Sequence, residues 1–119
     1  MNRTRMLAAV SVAALGTAVL ATSAGATTPK LSASVSDPFS ISLKQGTKKV
    51  TALRAGTYTV VVRDTASDHN FRLKGPGFNK ATSVSGKGTF TWKVTLKKGT
   101  YTYVCDPHST SMKGTFKVS

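Results

Sequence analysis

From residue 27 onward the chain holds one cysteine, two histidines and one methionine. All four fall in two short segments, Asp68-His69-Asn70-Phe71 and Cys105-Asp106-Pro107-His108-Ser109-Thr110-Ser111-Met112. A thiolate, two imidazoles and a thioether are the donors of a trigonal His₂Cys copper site with a weak axial Met. Cu(I) favours thiolate and thioether, while Cu(II) favours imidazole. A fixed mixed set therefore accepts both states and limits the rearrangement between them. Structural zinc usually takes four strong ligands with closely spaced cysteine pairs, which one cysteine cannot supply. Iron–sulfur clusters need several cysteines and are excluded. Thiol catalysis by Cys105 with a histidine base is the remaining use of these residues, but the sequence shows no orienting acid for it.

The elements that must hold these residues are short and β-rich, separated by Gly, Pro and Lys-Gly turns. Strands are predicted at Phe39–Leu43, Lys49–Leu53, Tyr58–Arg63, Asn70–Leu73, Thr89–Leu96, Tyr101–Cys105 and Gly114–Val118. About seven strands at this spacing predict an all-β antiparallel sandwich or barrel over residues 39–119. In Thr89–Leu96 the row Phe90, Trp92, Val94, Leu96 faces one way, and Tyr58, Val60 and Val62 form a similar row. On such a strand Trp92 reads as core rather than as a binding-site aromatic. A Gly-Thr-aromatic tripeptide occurs at Gly56, Gly88, Gly99 and Gly114. In each, glycine closes a turn, threonine faces solvent and the aromatic enters the core. Gly75-Pro76-Gly77 reads as a turn with positive-φ positions.

Cys105 ends a predicted strand, His108 and Met112 follow in the next loop, and His69 stands at the entrance of another strand. In a two-sheet sandwich such segments meet at one end, where loops cluster. The alternation also places Cys105 on the same face as Tyr101 and Tyr103. Asn70 is positioned to tie the two ligand segments together and to offer a backbone N–H to the thiolate. Pro107 removes one N–H donor and stiffens the loop. Both are effects of the outer shell of a metal site.

Two other stretches bound the domain. Arg3 and Arg5 precede an apolar run from Met6 to Ala21, and Ala24-Gly25-Ala26 offers a small-x-small cleavage site. Residues 1–26 thus read as a secretory signal peptide removed after Ala26, which places the protein in a periplasm, outside the cell or on its surface. The apolar run is shorter than the ~20 residues a spanning helix needs. Residues 27–38 are polar and read as a flexible linker. The remaining ~90 residues make one small domain with a modest core. A single cysteine allows no internal disulfide, and an exposed free thiol outside the cytoplasm invites oxidation, which favours the ligand reading of Cys105.

The chain carries 17 Lys and Arg against four Asp and no Glu, a formal charge of +13. Without the leader's two arginines the charge is about +11. Such a surface attracts an acidic redox partner, an anionic membrane or a cell-wall polymer. Equally, lysines keep sheet edges solvated and unpaired. Nucleic acid is not an expected partner, because there is no basic helix and no exposed aromatic stacking pattern.

Taken together, Asp68-His69-Asn70-Phe71 and the run from Gly99 through Cys105-Asp106-Pro107-His108 to Met112-Lys113-Gly114 resemble the cupredoxin family, which includes plastocyanin, amicyanin, pseudoazurin and azurin. The resemblance covers residues 39–119. It implies a Greek-key β-sandwich of seven to eight strands with one type 1 copper held by His69, Cys105, His108 and Met112. It further implies that His108 is the more exposed ligand and the port for electrons, and that the Asp68 backbone carbonyl lies on the side opposite Met112. The spacing of three residues between His108 and Met112 is neither amicyanin-like nor pseudoazurin-like. The implied function is a monomeric one-electron carrier serving a redox partner protein. It is not an enzyme, because a saturated site leaves no open position for substrate. Copper sequestration or delivery with the same ligands is the alternative.

Overall fold

The computed structural model describes residues 27–119; the leader expected at residues 1–26 lies outside the described residues. Ten strands follow one another: β1 (Lys30–Ser36), β2 (Ser40–Gln45), β3 (Lys48–Lys49), β4 (Ala52–Leu53), β5 (Gly56–Asp64), β6 (Arg72–Gly75), β7 (Phe78–Ala81), β8 (Gly88–Leu96), β9 (Gly99–Val104) and β10 (Lys113–Val118). They form two five-stranded sheets, ordered β3-β2-β1-β5-β8 and β4-β10-β9-β6-β7. This is the expected all-β Greek-key sandwich.

Several features differ from the sequence-based expectation, beginning with ten strands where seven to eight were expected. Residues 27–38 are not a flexible linker, because β1 occupies most of them and pairs with both β2 and β5. Its Leu31, Ala33 and Val35 are buried in the core, while Lys30, Ser32 and Ser34 alternate with them. That inward row has one small residue and its outward row is serine-rich, so the period-two signal is weak and the turn-like composition dominates. Next, the sheets are mixed: β1 runs parallel to β5, and β10 runs parallel to β4. Lastly, the strand expected at Lys49–Leu53 is split. The chain leaves the first sheet after β3, buries Val50 between the layers and joins the second sheet at β4. A strand that changes sheets closes a corner of a sandwich.

The core lies between the layers. Val60, Val62, Trp92, Val94 and Leu96 face it from the first sheet; Leu73, Tyr101, Tyr103, Phe116 and Val118 face it from the second. Trp92 is core, packed near Phe71 and Phe78. Aromatic rings run up the second sheet: Tyr101 stacks on Phe116 at 5.5 Å, and Tyr103 on Phe71 at 5.8 Å. The Tyr101 hydroxyl accepts from Lys97 N–H and donates to the Pro76 carbonyl, each at 2.9 Å. These bonds close the end of the sandwich away from Cys105.

Gly114 shows why one Gly-Thr-aromatic glycine cannot carry a side chain. It pairs with Tyr103 across β9 and β10, and a Cβ there would fall on the Tyr103 ring. Gly114→Ala is expected to destabilise the fold by about 1–3 kcal/mol, the usual cost of overpacking a core. Urea unfolding checks this, with a lower midpoint at unchanged slope expected.

Candidate metal centre

β5, β9 and the return into β10 all bring the chain to one end of the sandwich. His69 lies in the connection from β5 to β6, Cys105 follows β9 directly, and one 3-10 turn spans Asp106–His108. Backbone bonds fold the loop on itself. Cys105 N–H donates to the Met112 carbonyl at 3.0 Å, His108 N–H to the Cys105 carbonyl at 3.1 Å, and Met112 N–H to the His108 carbonyl at 2.8 Å. Pro107, inside that turn, has no N–H to satisfy and a φ already suited to it. The loop thereby holds Cys105, His108 and Met112 in fixed order around its own backbone.

The donor atoms converge. His69 Nδ1 and His108 Nδ1 are 3.0 Å apart, and Cys105 Sγ lies 3.7 Å from the first and 3.6 Å from the second. One first-row ion fits between such corners at ordinary lengths, about 2.0 Å to nitrogen and 2.3 Å to sulfur. His69 and Cys105 are fully buried, whereas His108 is half-buried. Met112 is fully buried and tied by its backbone to both Cys105 and His108.

The His69 tautomer follows from its far nitrogen. Nε2 lies 2.8 Å from the Pro38 carbonyl, which can only accept, so Nε2 carries the proton and Nδ1 presents its lone pair. Asp37 and Asp68 place carboxylate oxygens 3.2 and 3.7 Å from the same Nε2. Phe39 then covers both imidazoles, its ring edge-on to His108 at 5.2 Å and tilted over His69 at 5.9 Å. Phe39 is itself 61% exposed.

Asn70 joins the two ligand segments. Its backbone N–H points at Cys105 Sγ at 3.5 Å, and its Oδ1 accepts from Asp106 N–H at 2.7 Å. Its Nδ2 donates to Asp106 Oδ2 at 2.8 Å and to the Thr82 carbonyl at 3.1 Å. Arg72 grips the far side of Asp106 with two parallel bonds, 2.8 and 2.9 Å, and reaches Asn79 at 2.7 Å.

The Arg72 guanidinium, joined by Asn70, holds the Asp106 carboxyl below its ordinary range despite partial burial. A lowered folded-state pKa means that the pair's contribution is complete at neutral pH and is lost as pH falls through the carboxylate range. Because both groups are partly exposed, that contribution is about 1 kcal/mol or less. The stability gap between the native chain and Arg72→Met is expected to be constant near pH 7 and to close as the pH falls through and below the ordinary carboxylate range. Urea titrations at a series of pH values measure it.

The sequence did not point to Asp37, Pro38, Phe39, Asp64, Arg72 or Thr82 as neighbours of the site. Asp37 and Pro38 end the stretch taken for a linker and Phe39 opens the next predicted strand, so Asp-Pro-Phe carries only a turn signal. Asp64, the last residue of β5, is buried; its Oδ1 accepts from Ala66 N–H at 3.0 Å and its Oδ2 has no partner. Burial pushes its pKa up, opposed by the Ala66 amide and by nearby His69.

Comparison with known proteins agrees with this geometry. Residues 31–119 match the family described as copper binding proteins, plastocyanin/azurin family. No curated relative matches the chain. Among solved structures, reduced rusticyanin is 24% identical over 76% of this chain and 78% of its own, with a TM-score of 0.54. A methionine-to-glutamine mutant of rusticyanin is 24% identical over 76% of each chain, with a TM-score of 0.58. Rusticyanin from Thiobacillus ferrooxidans gives 24%, 76% of each chain and 0.53. At these identities the structural likeness speaks for the fold.

Proposed function

The chain belongs to the copper-binding plastocyanin/azurin family, and from that premise we propose that it is an exported one-electron carrier between redox partner proteins. Copper, the cofactor, supplies a Cu(I)/Cu(II) couple when bound. In this reading His69 Nδ1, Cys105 Sγ and His108 Nδ1 would hold the ion, the Met112 thioether would be its weaker fourth donor, and the Asp68 backbone carbonyl would lie near it. The observation that carries the reading is the buried Nδ1–Nδ1–Sγ triangle, whose first imidazole already has its other nitrogen engaged by Pro38.

The chain's own residues favour holding the ion over releasing it. Pro38 fixes the His69 ring, Asn70 ties the His69 segment to the Cys105 loop, and the loop's backbone bonds fix His108 against Cys105. A cage that moves little between oxidation states suits repeated electron exchange. His108, half-buried beneath the edge of Phe39, is the route by which electrons reach the interior. A filled ligand set leaves no position for a substrate, so the protein is not an enzyme in this account.

The test is voltammetry of the copper-loaded protein, together with incubation with a copper-free acceptor protein. A reversible one-electron wave with copper retained through many cycles supports the carrier. An irreversible wave, with the ion passing readily to the acceptor, overturns it in favour of copper delivery.

A further inference from the structure

Net charge is uneven between the two ends of the sandwich, because the copper end mixes carboxylates with Arg63, Arg72, Lys87 and Lys113. All four acidic side chains stand at the copper end. Asp37 is in the β1–β2 turn, Asp64 ends β5, Asp68 precedes His69 and Asp106 follows Cys105. Among charged side chains, the opposite end holds cations alone. Lys48 and Lys49 follow the β2–β3 turn, Arg54 precedes β5, Lys97 and Lys98 form the β8–β9 turn, and Lys117 lies near the end of β10. All six are exposed. Strand direction fixes this placement: β2, β8 and β10 run away from the copper end, while β5 and β9 run towards it.

Apolar exposure is divided in the opposite sense. Among the described residues the exposed large hydrophobics are Phe39 and Val84. Phe39 covers the two imidazoles, and Val84 lies in the loop entering β8 at Gly88, the residue paired with Asp64. Protein interfaces are anchored by buried aromatic and apolar side chains, and the cationic end offers none. Five of its six cations are lysines, which act as hydrated point charges rather than as planar forks for one carboxylate. Several lysines on separate turns suit a broad plane of negative charge such as lipid headgroups.

We propose that the end carrying Lys48, Lys49, Arg54, Lys97, Lys98 and Lys117 docks onto an anionic phospholipid bilayer and leaves His108 and Phe39 facing away from it. The excess positive charge then serves attachment rather than recognition of an acidic partner at the electron port. Attachment and electron exchange use opposite ends, so the protein can do both at once. The idea does not depend on whether the copper passes electrons or is itself handed on.

Residues 27–119 contain both sheets and the whole core, so the chain lacking the leader is the species to test. It is mixed with phosphatidylcholine vesicles, with and without phosphatidylglycerol, and co-sedimentation is measured. Binding is expected only with phosphatidylglycerol at low ionic strength, and it should vanish at about 1 M salt, where the screening length is ~3 Å. Lys97→Glu with Lys98→Glu should weaken it at least about 10-fold. Lys87→Glu with Lys113→Glu, the same charge change at the copper end, should weaken it less than about 3-fold, since screening is felt beyond ~10 Å. The visible copper band reports that both variants are folded. Equal loss in the two variants would reduce the effect to net charge and overturn the oriented docking, as would equal binding to both vesicle types or none to either.

Discussion

Replacing Cys105 by serine is expected to erase the intense visible thiolate-to-copper absorption and to weaken copper binding more than about 100-fold, a larger loss than the 10–100-fold typical of outer-shell changes. The reason lies in the donor set. Cys105 Sγ is the one soft anionic donor within reach of both imidazoles, at 3.7 and 3.6 Å from their Nδ1 atoms. Serine offers a harder oxygen that stays protonated at neutral pH, so the plane loses both its negative charge and its match to Cu(I). The side chain is buried and nearly isosteric, so the apo-fold should lose only about 1–2 kcal/mol from a poorly satisfied hydroxyl. Met112→Leu is the contrasting variant. It keeps the buried volume, should cost under about 1.5 kcal/mol, and should retain the band, because the colour belongs to the thiolate. Absorption spectra and copper titrations of the two variants separate the part played by the thiolate from that of the thioether.

Asn70→Ala should be the most damaging change outside the ligands themselves. The Asn70 side chain makes three hydrogen bonds, to Asp106 N–H, Asp106 Oδ2 and the Thr82 carbonyl. Alanine leaves those partners short of a bond in a largely buried place. The expected destabilisation is about 2–4 kcal/mol, from the ~1–3 kcal/mol cost of each buried group left unmade. Since the same bonds tie the His69 segment to the Cys105 loop, copper affinity should also fall by ~10–100-fold. Asn70→Asp is not expected to rescue either property. It restores the acceptor for Asp106 N–H, but it sets a carboxylate oxygen against Asp106 Oδ2, where the amide nitrogen now donates at 2.8 Å. Urea unfolding and copper titration of the pair measure both effects.

The residues legible from sequence alone were those whose chemistry is scarce in this chain. One cysteine, two histidines and one late methionine leave little choice of ligand set. Strongly alternating strands such as β5 and β8 were also legible, because large apolar side chains mark one face without ambiguity. β1 was not, since Leu31, Ala33 and Val35 are spaced by lysine and serines whose composition resembles a loop. β7 was missed for a related reason: Phe78–Ala81 is short, lies at a sheet edge and has no fully buried residue. The parallel pairing of β1 with β5 is a long-range fact with no local signature.

At the site the same division holds. The donors could be named from their types, and Asn70 and Pro107 beside them from their place in the motifs, but the more distant support could not. The Pro38 carbonyl that sets the His69 tautomer is a backbone atom 31 residues away in sequence. Arg72 reaches Asp106 across 34 residues, which depends on how β6 lies beside β9. Phe39 reads as the start of a strand, and only the turn before β2 brings it over the imidazoles. Charge was legible in amount but not in distribution, since strand directions decide which end each turn occupies.

His69, Cys105 and His108 are expected to take up one copper ion together. Titration of Cu(II) into the copper-free protein, followed by visible absorption and thermal unfolding, measures this. An intense thiolate-to-copper band that saturates at one equivalent is expected, with a rise in Tm that grows with free copper. A protein that stays colourless, and whose Tm is unchanged after a full equivalent of copper, would contradict it.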